Sequence, residues 1–535
     1  MGGKSAIGVV SVAVLCGCGD PPVEVTGDPT QGDTRYYEQA EAVASLGKSD
    51  ELTEVVTVAF NDRTQDPDDP KITYPDGGPS GIHRNLYHGA SLMGWSYSVD
   101  NGAHFTYSEH RVSPPNGWAV IWGDPSLAAS PSGFNVYFAN LAGSDVVFNS
   151  DGPIVDASPT LDGFCVAKSI NGGIDFQDVK CFKKGVCSNT GNPCTGDFPQ
   201  CFVPAPIGGT PSFGTCNGAF YDGTSLATWG SDVFFAAKNC GPGMGGGGDN
   251  PFDVWRATGN TLDFSPLPDL HPFDNLATWN HPRLKVHGNR LYVVGTTEHG
   301  GVFWPTAASL DLTQGEAATW SPPLRIGANL YFGDVNIGDK VLRLANQFSY
   351  DVGQSENGEQ TQLRVAYTRA TGGGRLFIEY SVCALPLIES PDLPGFAQCS
   401  NETGWGGPNR NPNADEFSPE LRVSGTPPRW RAIWKVNPSG VGAVAVYRGN
   451  LITSGGVNLL GAGQLVAPQQ PCAFHIQGNQ YYWGDYDDLL PLTPTPTGFQ
   501  EAPHWLTPFT QNFDGCPFAG EWTAAMHVGA VTFDG

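Results

Sequence analysis

The chain has 535 residues, 28 Lys plus Arg against 53 Asp plus Glu, and a formal net charge of −25. A surface this acidic repels phosphate backbones and lacks a polybasic patch, which excludes nucleic acid and anionic lipid as partners. With 40% hydrophobic residues wholesale disorder is excluded, while 70 Gly and 44 Pro point to short strands joined by turns.

Residues 1–18 read as a targeting segment. Lys4 supplies the positive start, and Ala6 to Leu15 is apolar but too short to span a bilayer. Leu15-Cys16-Gly17-Cys18 resembles the bacterial lipobox. The resemblance implies acylation of Cys18 and a lipid anchor as the sole link to a membrane, either periplasmic or on the outer surface of a bacterium. Residues 19–50 form a tether with a short helix over 36–47 (YYEQAEAVASLG), rich in Ala and Glu and ending at Gly47. From residue 51 onward the chain reads as short strands, such as Val55 to Phe60, Asn135 to Ala139, Val233 to Ala237, Leu291 to Val294 and Val441 to Tyr447.

Eleven cysteines remain beyond Cys16 and Cys18, and seven of them lie in 165–240, a stretch without His. Wide spacings and the missing His favour disulfides in an oxidising compartment over zinc. The expected pairs are Cys165 with Cys181, Cys383 with Cys399, and Cys472 with Cys516. Cys216 and Cys240 are further disulfide cysteines, an insertion at about 181–220 is disulfide-rich, and one thiol among Cys187, Cys194 and Cys201 is left over.

Two short repeats punctuate the strands. Ser98, Asp100, Gly102 and Phe105 fit S-x-D-x-G-x-x-[WF], and Ser169, Asn171, Gly173 and Phe176 fit it with Asn for Asp. The Asp or Asn caps turn N–H groups, Gly takes a positive φ, and the aromatic packs beneath the hairpin. Arg256–Phe264 and Tyr367–Arg375 occupy similar places in degenerate form. The second repeat is aromatic-Gly-Asp: Trp122-Gly123-Asp124, Phe332-Gly333-Asp334 and Trp483-Gly484-Asp485, with Trp279-Asn280-His281-Pro282 standing in the same place.

The first repeat resembles the Asp box of the sialidase-like, or BNR-repeat, β-propellers. The resemblance implies an all-β fold over 51–535: a six-bladed propeller of four-stranded antiparallel blades, with seven blades as the alternative. The expected blades are 51–113, lacking its inner strand, then 118–182, 219–268, 279–325, 330–390 and 417–470, with 480–535 completing the first. The Asp boxes then serve structure. The aromatic-Gly-Asp repeats fall where inner strands begin, so Trp122, Asp124, His281, Arg283, Asp334, Trp483, Asp485 and Tyr486 are expected to converge in a ligand-binding funnel.

Active sialidases clamp a carboxylate with three arginines and use a Tyr nucleophile paired with Glu. Their first arginine motif is not matched by Arg63 or Arg84, and nothing marks Arg283, Arg343 and Arg364 as a clamp. The expectation is therefore a monomeric envelope lipoprotein that binds an extracellular glycan or protein without catalysis. It needs no cofactor, with Ca2+ the one candidate ion for its oxygen-rich loops. The alternative is an exo-acting glycoside hydrolase of sialidase type. Fold does not decide between them.

Overall fold

Five consecutive apolar residues, Val233 to Ala237, show how this chain builds its architecture. Side chains of a strand alternate between its two faces. Val233, Phe235 and Ala237 join one buried cluster, and Phe234 and Ala236 join another. A strand apolar on both faces belongs between packed layers, and the same division recurs at Tyr137/Phe138 and at Leu291/Tyr292.

The computed structural model describes residues 23–24, 37–62, 72–73, 85–86, 90–91, 93–108, 112–118, 120–121, 123–143, 146–149, 156–159, 163–183, 220–240, 252–268, 270, 278–299, 301–331, 333–337, 340–343, 348–355, 357–402, 414–425, 428–438, 445–454, 457–460, 464–467, 474–477, 480–482, 489–492, 504–512 and 523–532. Six four-stranded antiparallel runs follow one another among these residues. The first holds β1 (Tyr37–Lys48), β2 (Glu54–Asp62), β3 (Met93–Ser98) and β4 (Thr106–Ser108). The second holds β5 (Ser126–Ala129), β6 (Val136–Gly143), β7 (Gly163–Ser169) and β8 (Asp178–Lys183). The third holds β9 (Phe220–Trp229), β10 (Asp232–Cys240), β11 (Phe252–Ala257) and β12 (Phe264–Pro266). The fourth holds β13 (Thr278–His287), β14 (Arg290–His299), β15 (Val302–Asp311) and β16 (Leu324–Arg325). The fifth holds β17 (Phe348–Gln354), β18 (Thr361–Ala370), β19 (Leu376–Ala384) and β20 (Cys399–Glu402). The sixth holds β21 (Ala414–Ser424), β22 (Arg429–Pro438), β23 (Ala445–Ser454) and β24 (Val457–Leu460). Near the C-terminus β25 (Leu490–Pro491), β26 (His504–Asn512) and β27 (Thr523–Thr532) pair in order, and β27 meets β1 in parallel at Tyr37 and Glu38. Helix among the described residues is one 3-10 segment, Leu312–Ala317.

The apolar clusters lie between successive sheets. Trp95 and Phe138 share the cluster of sheets one and two, and Phe164 stacks on Phe235 at 3.8 Å between sheets two and three. Trp430 and Trp434 fill the space between sheets five and six with Ile378 and Tyr380. Leu492 seals the other face of sheet one against Ala42, Val56 and Phe60.

Several expectations are corrected. Of the expected helix over 36–47, the described residues 37–47 are strand: they belong to β1, paired with β2 along Gly47↔Val55 to Gln39↔Asp62. Ala42 and Ala44 are buried on one face, a period of two that cross-strand pairing rewards more than Ala and Glu propensity rewards helix. Sheet one therefore has its own inner strand. The expected 330–390 unit starts instead at Phe348 and ends at Glu402, because Val335–Ile337 and Lys340–Arg343 pair with each other and with Gln480–Tyr482 outside sheet five.

The two S-x-[DN] turns carry the same hydrogen bonds, each between third and fourth strands. Ser98 Oγ accepts from Gly102 N at 2.8 Å, and Asp100 Oδ1 accepts from Ser98 Oγ at 2.7 Å and His104 N at 2.9 Å. Ser169 Oγ accepts from Gly173 N at 2.9 Å, and Asn171 Oδ1 accepts from Ser169 Oγ at 2.6 Å and Asp175 N at 3.1 Å. Phe176 is buried against Trp95, and Phe105 packs half-buried on the cluster of sheet one. Arg256–Phe264 spans the equivalent β11–β12 turn, whereas Tyr367–Arg375 lies between second and third strands and is no counterpart. Disulfides join Cys165 to Cys181 and Cys383 to Cys399, each pair directly opposite across third and fourth strands. Cys18, Cys216, Cys472 and Cys516 lie outside the described residues, as does the side chain of Cys240.

Candidate functional site

The first strands of all six sheets, with β25, line one cavity of about 500 Å³. Apart from β1, which meets β27 at Tyr37 and Glu38, the first strands have no backbone partner on their cavity edge among the described residues, so their N–H and C=O groups need other partners. Side chains of the neighbouring first strand supply them. Ser126 Oγ accepts from Leu226 N at 2.8 Å, Ser225 Oγ from Leu284 N at 2.8 Å, and Ser349 Oγ from Leu421 N at 3.0 Å. Asp351 Oδ2 accepts from Val423 N at 2.9 Å, and Tyr350 OH donates to the Arg283 carbonyl at 2.8 Å.

The strands enter the cavity through a repeated irregularity. Asp124, Gly223, His281 and Ser418 all have positive φ. The register slips beside Gly223, His281 and Ser418, as at a β-bulge. Two residues later stand Ser126, Ser225, Arg283 and Glu420, each of which reaches a neighbouring first strand. Three of the intervening residues are proline (Pro125, Pro282, Pro419), which forfeits little where the ladder is already broken.

The cavity is lopsided. Sheets one to three contribute small or apolar side chains such as Val43, Ser45, Ala128 and Thr224, while sheets four to six contribute charge. Glu420, fully buried, accepts from Arg283 at 3.0 Å, Ser349 at 2.8 Å and Arg422 at 3.4 Å. Asp351, also buried, pairs with Lys285 at 3.0 Å and accepts its own next N–H, Val352, at 2.9 Å. Burial pushes the Tyr350 hydroxyl well above its usual range; Asp351 reinforces this and Arg283 and Arg422 oppose it.

Of the residues named from sequence, Arg283 lines the cavity. His281 holds the left-handed position just before it, and Asp124 the equivalent one before Ser126. Asp124 is buried, and its carboxylate accepts from Gly223 N at 2.8 Å and its carbonyl from the Thr224 hydroxyl, which ties the entry of β5 to β9. Asp334 is exposed in a turn where Tyr331 OH donates to its carbonyl at 2.7 Å, and it is no part of the cavity. Trp122, Trp483, Asp485 and Tyr486 lie outside the described residues. Arg364 is buried between sheets five and six, 4.4 Å over the Trp430 ring. Glu420, Arg422, Lys285, Ser349, Tyr350 and Asp351 were missed. The available signal was Ser418-Pro419-Glu420, which matches His281-Pro282-Arg283 and Asp124-Pro125-Ser126. Among the described residues no three His, Cys, Asp or Glu side chains converge as a metal site, and no helix is long and apolar enough to cross a membrane.

No protein-family model matches the chain, and no curated protein does. Among solved structures, the GH93 alpha-L-arabinofuranosidase of Fusarium graminearum with arabinobiose is similar at 10% identity and a TM-score of 0.40, over 80% of this chain and 97% of that one. The alpha-L-arabinanase of Penicillium chrysogenum with arabinobiose is similar at 10% identity and 0.36, over 78% and 96%. Trypanosoma rangeli sialidase in complex with sialic acid is similar at 7% identity and 0.35, over 80% of this chain and 56% of that one.

Proposed function

We propose that the chain is a cell-envelope lipoprotein whose six sheets are the blades of a closed, sialidase-like β-propeller, and that its axial cavity binds an extracellular glycan or protein group without cleaving it. The Asp-box turns, the lipobox and the two disulfides fit this reading, since disulfides persist in oxidising compartments. The cavity shared by six first strands supports the ring.

One observation carries the absence of catalysis. Glycosidases need one carboxyl free to give a proton and a second group free to attack or to activate water. Here Glu420 is held by two arginines and a serine, and Asp351 by Lys285 and two backbone N–H groups. Tyr350 spends its hydroxyl on backbone carbonyls. A neutral ligand meets one polar and one small, apolar wall without disturbing these pairs.

The residue types favour one rival. Tyr350, Arg283 and Arg422 line the cavity with Glu420 buried behind them, and these are residue types a sialidase-type hydrolase uses. The test is a panel of fluorogenic sialosides and arabinofuranosides beside a neutral-glycan array. We expect no turnover, and array binding that weakens in Lys285→Ala while the protein stays folded. Turnover abolished by Glu420→Gln with unchanged folding would replace this proposal with the hydrolase.

A further inference from the structure

A second pocket, of about 400 Å³, opens between sheets four and five at the end of β13, away from the bulges. Its polar wall is one cross-strand row. His287 of β13 stands opposite Arg290 of β14, which stands opposite Asp311 of β15. Tyr292 follows on the same face of β14, and Leu385 and Pro386 form the apolar wall across the pocket.

The row is poorly engaged with itself. Arg290 reaches Asp311 only at 3.8 Å and Ser309 at 3.4 Å, both longer than a good charge-assisted bond. Tyr292 lines the pocket with its ring buried, and its hydroxyl makes no hydrogen bond among the described residues. A hydroxyl placed there can donate to or accept from a bound ligand. Asp311 stays ionised, because the Thr313 hydroxyl and N–H hold its carboxyl below the usual range. Burial keeps the His287 ring neutral.

We propose that this pocket binds a free α-amino acid with an aliphatic side chain. The carboxylate takes Arg290 and the Tyr292 hydroxyl, the ammonium takes Asp311, and the side chain lies on Leu385 and Pro386. A paired cation and anion this close match two opposite charges carried on a single carbon. A simple acid satisfies Arg290 but crowds its charge against Asp311, and a simple amine does the reverse. The proposal is independent of the reading of the axial cavity.

Calorimetric titration of the full chain with L-leucine, 4-methylvalerate and 3-methylbutylamine tests it. L-Leucine binds saturably at millimolar concentration, and the acid and the amine bind at least about tenfold more weakly, as expected for one lost charge-assisted bond. Arg290→Gln and Asp311→Asn each weaken leucine by a similar factor; Asp311→Asn keeps the oxygen that caps Thr313. Absence of leucine binding overturns the proposal, as does equal binding of either single-charge analogue or full binding by both variants with unchanged melting. The three-ligand comparison on the native chain decides even if a variant fails to fold.

Discussion

Replacing Glu420 by Ala is the most direct test of the charge arrangement. The carboxylate is fully buried, while its partners Arg283 and Arg422 are 14% and 21% exposed. Removing one member of a buried pair costs about 3–5 kcal/mol, because the remaining charge is left uncompensated. Here two guanidiniums are stranded, but water reaches both, so the lower end, about 3 kcal/mol, is expected. Part of this is the Ser349 hydroxyl, which donates to Glu420 while accepting from Leu421 N. Glu420→Gln keeps the volume and one acceptor and should cost about half as much. Urea unfolding followed by tryptophan fluorescence reads both as shifts in midpoint at unchanged slope. A loss for Glu420→Ala within about 0.5 kcal/mol of zero, the range of ordinary surface changes, would refute the view that this carboxylate joins sheets four, five and six.

Gly172 has φ +76, and an added Cβ would lie 2.6 Å from the Lys48 backbone, whereas Gly288 has φ +58 and open space. Gly172→Ala should therefore cost at least about 3 kcal/mol and Gly288→Ala about 1 kcal/mol, compared in the same urea titration. Burial lowers the His287 pKa from 6.5, helped by Lys285 and opposed by Asp351, so the unfolded chain binds the extra proton. That stability is fully present above pH 6.5 and is lost as pH falls below it, and His287→Gln should flatten the acid side of a midpoint-versus-pH curve. Opening the Cys383–Cys399 loop, of sequence separation 16, with Cys383→Ala and Cys399→Ser should lower stability by about 3 kcal/mol. A smaller loss on reduction of the native chain would show that the strand pair holds without its staple.

The strands were legible where both faces are buried, because short apolar runs such as Val233 to Ala237 are bounded by turn residues and are too short for a helix. The two S-x-[DN] turns and two disulfides were legible because their partners lie within a few residues or across one hairpin. β1 was misread because Ala and Glu favour helix locally, while its partners β2 and β27 lie elsewhere in sequence. The acceptance of Gly223 N by Asp124 was not legible, because the two residues lie on different sheets far apart in sequence. Asp351 was missed because a single acid within a strand carries no local signal, and Glu420 because the Ser418-Pro419-Glu420 entry marks its place but not its partners Arg283 and Ser349 on other sheets.

The position two residues beyond each left-handed entry decides both the joint between sheets and the character of the cavity. At Ser126 and Ser225 it holds a hydroxyl short enough to accept a neighbour's N–H directly. At Arg283 and Glu420 it holds long charged groups, which meet each other from sheets four and six, while the small Ser349 of sheet five closes the gap beneath them. The lopsided lining thus follows from one recurring backbone feature filled with two kinds of side chain. A ligand in this cavity meets groups already committed to holding the sheets together, so it can be gripped without movement of the strands. The same commitment means that recruiting Glu420 or Asp351 as a proton donor or nucleophile would first have to undo the joint between sheets, and on this physical ground the proposed function is binding without cleavage.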